Sequence, residues 1–258
     1  WKTMFAMVNG GPMIHPKEVV EKQGKEPLPR TAYIGTGPYQ FTEWVDDRYI
    51  SLKRFDKYAA LDKPSDGYAG KRAALFDELR FIPVPDAQTR VNGVKAGDYD
   101  YAEQIPGDLY DIMKSDPSVR VTLNQGATAG MTFINSKEGI FSVNSPVKDP
   151  RKLRQAVMTA LNMEPVLQAA YGPKDLWRLN GSIAPEGTYF YTKIGAEKFS
   201  QGNVAKAKQL AAEAGYNGEK IVYMATTQYK YIHDTSVVMD KQLRDAGFNV
   251  ELQLYDWA

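Results

Sequence analysis

The last stretch of the chain reads strand, helix, strand, and this order restricts the fold more than any other feature. Ile221 to Ala225 is a short run of strand-forming residues. Tyr231 to Ala246 carries apolar residues at helical spacing and stops at Gly247. Asn249 to Leu254 then alternates, with Val250, Leu252 and Leu254 inward and Glu251 and Gln253 outward. A helix of this length between two strands makes parallel neighbours joined by a right-handed crossover. Upstream, Asp149 caps a helix with Pro150 in its first turn, and Leu153, Val157, Ala160 and Leu161 form its apolar stripe. A second helix starts near Pro165 and stops at Gly172. Asn203 caps Val204 to Ala214, and Gly215 ends that helix.

The first half mixes the same elements. Its first 30 residues read as loop, rich in Gly and Pro. Tyr39 to Trp44 and Tyr49 to Arg54 read as strands, with Val45 to Arg48 as the hairpin turn. Phe76 to Pro83 reads as a strand and Pro85 to Asp98 as a helix. Strands follow at Tyr99 to Gln104, Val119 to Leu123 and Met131 to Asn135, with a helix over Pro106 to Ser115. The alternation predicts an α/β fold.

Composition removes several chemistries. Basic and acidic residues number 32 and 31, so no concentrated basic face awaits nucleic acid. No apolar run is long enough to span a bilayer. Cysteine is absent and only His15 and His233 represent histidine. Disulfides, thiolate nucleophiles, zinc sites and His-based triads therefore lack raw material. There is no Gly-x-Ser-x-Gly elbow and no phosphate loop. The paired carboxylates Asp46-Asp47 and Asp98 with Asp100 fall at turns, where solvation explains them. No enzyme and no cofactor is expected.

Seven segments in order carry a resemblance. They are Gly35-Thr-Gly-Pro-Tyr-Gln-Phe41; Phe76-Asp-Glu-Leu-Arg-Phe-Ile-Pro-Val-Pro-Asp-Ala87; Val91-Asn-Gly-Val-Lys-Ala-Gly-Asp-Tyr-Asp-Tyr-Ala102; Phe133-Ile-Asn-Ser-Lys137; Asp149-Pro-Arg-Lys-Leu-Arg-Gln-Ala-Val157; Ala205-Lys-Ala-Lys-Gln-Leu-Ala-Ala-Glu-Ala-Gly-Tyr216; and Leu243-Arg-Asp-Ala-Gly-Phe-Asn-Val-Glu-Leu252. From Gly35 onward the chain resembles the family 5 extracellular solute-binding proteins, which include dipeptide and oligopeptide binders of ABC transporters. The resemblance implies a type II periplasmic-binding-protein-like, two-lobed α/β fold, here incomplete. It puts residues 1–128 in lobe I and residues 129–258 in the second ligand-binding lobe, linked through Gly126 to Met131. It implies capture of a peptide or other small solute, hinge closure, and delivery to an ABC transporter membrane permease. It also implies a periplasmic or extracytoplasmic protein, monomeric when full length, whose signal peptide is not in this chain. Nickel complexes, opines and oligosaccharides are other solutes of the family. Members usually carry an acidic and a basic residue where this chain has Asn162-Met163, which reads as a capping detail. Members are also longer at both ends, and an acidic residue that pairs with a peptide's amino end lies beyond the segments matched here. An α/β hydrolase-like enzyme and the sensory domain of a regulator stand as alternatives.

The candidate ligand contacts lie at loops beside strands. Glu103 and Gln104 precede Pro106, and a carboxylate with an amide suits an ammonium and a peptide group. Ala129, Gly130 and Met131 open a strand, where small residues admit a ligand backbone and Met adapts to varied side chains. Tyr229 and Tyr231 lie between a strand and a helix and can frame a pocket. For each group a solvated loop, a crowded crossing or a surface aromatic is the plainer alternative. Trp177 reads as a lid or a packing anchor, and His233 as an ordinary helix histidine.

Overall fold

The computed structural model describes residues 14–66, 69–123 and 130–257. It contains two compact units, Trp1–Asp86 and Ala87–Ala258. The lobe boundary expected at residues 128/129 lies outside the described residues.

The first unit is a three-stranded antiparallel sheet in the order β1 (Tyr39–Val45), β2 (Tyr49–Arg54), β3 (Glu78–Phe81). The expected hairpin is present, with Val45 opposite Tyr49 and Asp47 at φ 57° in its turn. A bulge lies between Phe41 and Glu43, and the Thr42 hydroxyl donates to the Ser51 carbonyl at 2.8 Å. The Arg30 guanidinium covers the Trp44 ring at 4.2 Å and pairs with Asp46. Ser51 is the only buried residue among those described in this unit. A helix α1 (Lys17–Gln23) interrupts the segment read as loop. Pro16 precedes it, and Lys17 and Glu21 pair one turn apart at 3.5 Å.

The second unit opens with α2 (Ala87–Ala96) and α3 (Tyr110–Ser115), the latter preceded by a tight turn at Gly107–Leu109. Its core is built from α4 (Pro150–Ala160), α5 (Met163–Tyr171), α6 (Val204–Ala214), β4 (Ile221–Thr226), α7 (Lys230–Asp245) and β5 (Val250–Tyr255). β4 and β5 pair in parallel, Ile221 opposite Val250 and Thr226 opposite Tyr255, as the strand–helix–strand pattern requires. The buried face of α4 offers Leu153, Ala156 and Ala160, and that of α6 offers Ala207, Ala211 and Ala214. Alanines let the two helices approach closely, and the Asp149 amide donates to the Ala214 carbonyl at 3.0 Å. Leu243, Phe248, Ile221 and Val250 close the core from the sheet side.

The expected caps are in place. The Asp149 carboxylate accepts from the Lys152 amide, and the Asn203 side chain from the Lys206 amide, each at 2.9 Å. Gly215 adopts φ 78° and closes α6. The Asn162-Met163 pair is a capping feature, since the Asn162 side chain accepts from the Glu164 amide at 3.1 Å.

Three expected strands are absent. Residues 99–104, 119–123 and 131–135 have no ladder partner among the described residues. At the first, the amides of Asp98 and Tyr99 donate to the Gly93 carbonyl, at 2.8 and 3.2 Å, and so close α2. Alternation marks an extended segment; only a partner makes it a strand. Leu254 is likewise exposed, although Val250 at the other end of β5 is buried.

Because Leu153 is fully buried, Leu153→Ala should cost about 2–5 kcal/mol, against about 0.5–2 kcal/mol for loss of the Asn203 cap in Asn203→Ala. Urea denaturation followed by helix circular dichroism checks the order; an equal or larger loss for Asn203→Ala contradicts this packing.

Candidate functional site

β4 and β5 run in parallel, so their C-terminal ends open on the same side, the side where open α/β sheets hold ligands. Thr226 ends β4, and its hydroxyl accepts from the Gln228 amide at 3.2 Å. That turn presents Tyr229 just before α7 and Tyr231 in its first turn. Trp257 lies just past β5, its amide donating to the Gln228 side-chain carbonyl at 3.1 Å. Tyr229 meets Trp257 edge to face at 5.2 Å and Tyr231 at 6.0 Å. Tyr231 in turn stacks on Tyr171, the last residue of α5, with centroids 6.0 Å apart and planes 21° apart. Four aromatic rings from three elements therefore form one continuous surface.

Gly130 faces this surface: a Cβ placed on it would lie 3.8 Å from the Tyr171 hydroxyl. Two residues on, Thr132 lies beside the Tyr223 hydroxyl of β4. Met131 between them is exposed. Ala129 lies outside the described residues.

The Glu103–Gln104 turn is held in an unusual backbone. Gln104 sits at φ 55°, a left-handed conformation that costs a non-glycine residue about 1–3 kcal/mol. The Arg90 guanidinium donates to the Gln104 carbonyl at 3.0 Å and pins it there. Glu103 beside it is exposed and pairs with no cation among the described residues.

Charge collects at the start of α7. The Lys230 ammonium contacts Asp234 at 2.5 Å, and His233 Nδ1 lies 3.0 Å from the other Asp234 oxygen. Burial is the largest single effect on the Asp234 carboxyl and opposes ionisation. Hydrogen bonds from Lys230 and His233 together outweigh it and hold Asp234 below the usual carboxylate range. His233 is thus a hydrogen-bond partner of Asp234 within the same helix. No group of three or more metal-ligating side chains occurs among the described residues.

Trp177 acts as an anchor and not as an exposed flap. Its indole N–H donates to the Gly172 carbonyl at 3.0 Å, and the Lys174 ammonium lies 3.5 Å above its ring. A depression of about 470 Å³ is lined by Glu164, Pro165, Gln168, Lys174 and Trp177, and of these only Trp177 was singled out in the sequence.

The profile of the bacterial extracellular solute-binding proteins, family 5 Middle, matches residues 3–258. The chain belongs to this family. Family 5 consists of substrate-binding proteins and not enzymes. A probable peptide ABC transporter periplasmic-binding protein of Sinorhizobium fredii is 32% identical over 88% of this chain and 43% of its own length. The oligopeptide-binding protein AppA of Bacillus subtilis is 28% identical over 87% of this chain and 40% of its own. Among solved structures, the binding protein AgaA from A. tumefaciens R10, in complex with agropinic acid, superposes with a TM-score of 0.74. It is 30% identical, and the match covers 94% of this chain and 45% of AgaA. The fold also matches DppA from Helicobacter pylori, in complex with the peptide STSA, with a TM-score of 0.73 at 21% identity, over 95% of this chain and 44% of DppA. The family 5 chain described here thus spans under half the length of these relatives, in part of a type II binding-protein fold.

Of the sequence candidates in this family 5 chain, Gly130, Tyr229 and Tyr231 fall around one aromatic surface. Glu103 and Gln104 form a separate turn that leads into Gly107–Leu109, which packs on the end of α5. Sequence reasoning passed over Tyr171 and Trp257. Tyr171 reads as one more helix residue; its place before the stop Gly172 was the available signal.

Burial raises the Tyr171 phenol above its ordinary value, and Tyr231 adds to the shift; burial also raises Tyr216 and Tyr223. These phenols keep their protons in the folded state at pH values where the unfolded chain has lost them. Stability should therefore fall as pH rises through about 10. In Tyr171→Phe the fall between pH 10 and 11.5 should be smaller. Denaturant midpoints across this range check it, and identical slopes for parent and variant contradict it.

Proposed function

We propose that the full-length protein is an extracytoplasmic solute-binding component of an ABC transporter, and that it presents a peptide-like solute to a membrane permease. The family match over residues 3–258 carries this reading. The aromatic surface at the strand ends supports it, since flat apolar faces with hydroxyl rims accept varied side chains. The lobes would meet around the solute, with residues 1–128 contributing to one and residues 129–258 to the other. We assign Glu103, Gln104, Ala129, Gly130, Met131, Tyr229 and Tyr231 as solute contacts. In this reading Glu103 receives an ammonium, Gln104 a peptide group, and the tyrosines a side chain. A periplasmic or otherwise extracytoplasmic location and a monomeric state complete the proposal. No described helix is long and apolar enough to cross a membrane.

The relatives support two solute classes. The peptide-binding names favour a peptide, and the AgaA complex favours an opine such as agropinic acid. Calorimetric titration of the full-length protein with a mixed tripeptide library and, separately, with agropinic acid distinguishes them. Saturable binding of either supports a carrier of that solute; binding of neither sinks the peptide-like solute, and turnover of either sinks the carrier.

Loss of an aromatic partner in Tyr231→Ala removes about 0.5–1.5 kcal/mol of stacking, so affinity should fall roughly two- to tenfold. Glu103→Ala removes a charge-assisted hydrogen bond of about 1.5–3 kcal/mol, roughly a tenfold to hundredfold loss. Parent-like affinity in a folded Glu103→Ala protein would make Glu103 a plain surface residue.

A further inference from the structure

Gly107 and Gly172 meet backbone to backbone. A Cβ added to Gly107 would lie 1.8 Å from the Tyr171 carbonyl oxygen and 3.0 Å from Leu176 Cδ1. A Cβ added to Gly172 would lie 2.9 Å from the Gly107 carbonyl carbon, and Gly172 also holds φ 82°. Only glycine fits either position without displacement. Trp177 locks the arrangement from behind, since its indole N–H donates to the Gly172 carbonyl at 3.0 Å. Gly107 lies three residues after the strained Gln104, with Pro106 limiting the backbone between them. Gly172 follows Tyr171, whose ring carries the stack with Tyr231.

We propose that the Gly107–Gly172 contact, held by Trp177, is a latch that sets the spacing between the Glu103–Gln104 turn and the tyrosine surface. Its bearing on solute recognition rests on the function proposed above. Gly107, Gly172 and Trp177 are positioning residues: they touch no solute and fix the distance across which one is read. A methyl group on Gly107 must retreat by more than an ångström to reach van der Waals distance from the Tyr171 oxygen, and the turn must retreat with it. Trp177→Phe keeps a flat ring but removes the N–H, so the latch loosens without a steric wedge.

The absence of cysteine allows a direct test. Spin labels are attached at Tyr101→Cys, beside the turn, and at Met224→Cys on β4; both positions are exposed. Pulsed dipolar spectroscopy on this chain should show a longer and broader distance in Gly107→Ala and a broader one in Trp177→Phe. Gly35→Ala, where an added Cβ meets nothing within 4 Å, and Leu153→Ala, which weakens the core alone, should keep the parent distribution. Parent-like distances in folded Trp177→Phe overturn the latch, and that variant decides alone if Gly107→Ala fails to fold. Equal broadening in Leu153→Ala also overturns it, because general loosening then explains the effect. In the full-length protein, Gly107→Ala should weaken uptake of a mixed tripeptide library about tenfold or more, as misplacing one charge-assisted contact implies. A parent that takes up no peptide counts against the solute reading, while the distances still judge the latch.

Discussion

The joint at Asn162 governs the second unit. There α4 ends and α5 begins, and the chain must turn without leaving polar groups unpaired. Gln242 of α7 solves this with one side chain: its amide oxygen accepts from the Asn162 amide at 2.7 Å, and its NH2 donates to the Asn162 carbonyl at 2.9 Å. The next amide, Met163, donates to the Ser200 hydroxyl at 2.8 Å, and Asn162 caps α5 itself. The direction of α5 is thus referenced to α7 at its first residue. Its last residue, Tyr171, stacks on Tyr231 in the first turn of the same α7. Two antiparallel helices tied at both ends make a stiff frame, and the aromatic surface is one of the ties.

The surface sits at the strand ends for a related reason. Parallel pairing of β4 with β5 sends both chains out on one side, so Tyr229 and Trp257 become neighbours although they are far apart in sequence. The Gln228 side chain bridges the two exits by accepting from the Trp257 amide. Beside Tyr171 the backbone comes unusually close, through Gly107 and Gly172.

What was legible in the sequence was local. Asp149, Asn203 and Gly215 announce helix ends because a cap needs only its own neighbours. The β4–α7–β5 unit was legible because three consecutive elements contain their own partners. The segments 99–104, 119–123 and 131–135 were not, since a ladder depends on a strand elsewhere and the alternating pattern does not name it. The same limit applies to the site. Tyr229 and Tyr231 stand out at a strand-to-helix turn, whereas Tyr171 gains its role from a stack across the fold. Helix α1 escaped notice because none of its residues is buried, so no apolar stripe marks it.

The first unit has no buried apolar side chain among its described residues, and Ser51 alone is enclosed. Its ladders, its Arg30–Trp44 contact and the Arg54–Asp77 pair hold shape with little apolar surface hidden from water. The heat capacity gained on unfolding tracks newly wetted apolar area, while newly wetted peptide groups subtract from it. Melting of residues 14–66 and 69–86 therefore adds little to that quantity. The heat-capacity step in a calorimetric scan would come chiefly from the second unit, and the stability curve against temperature would bend as that of a smaller protein does.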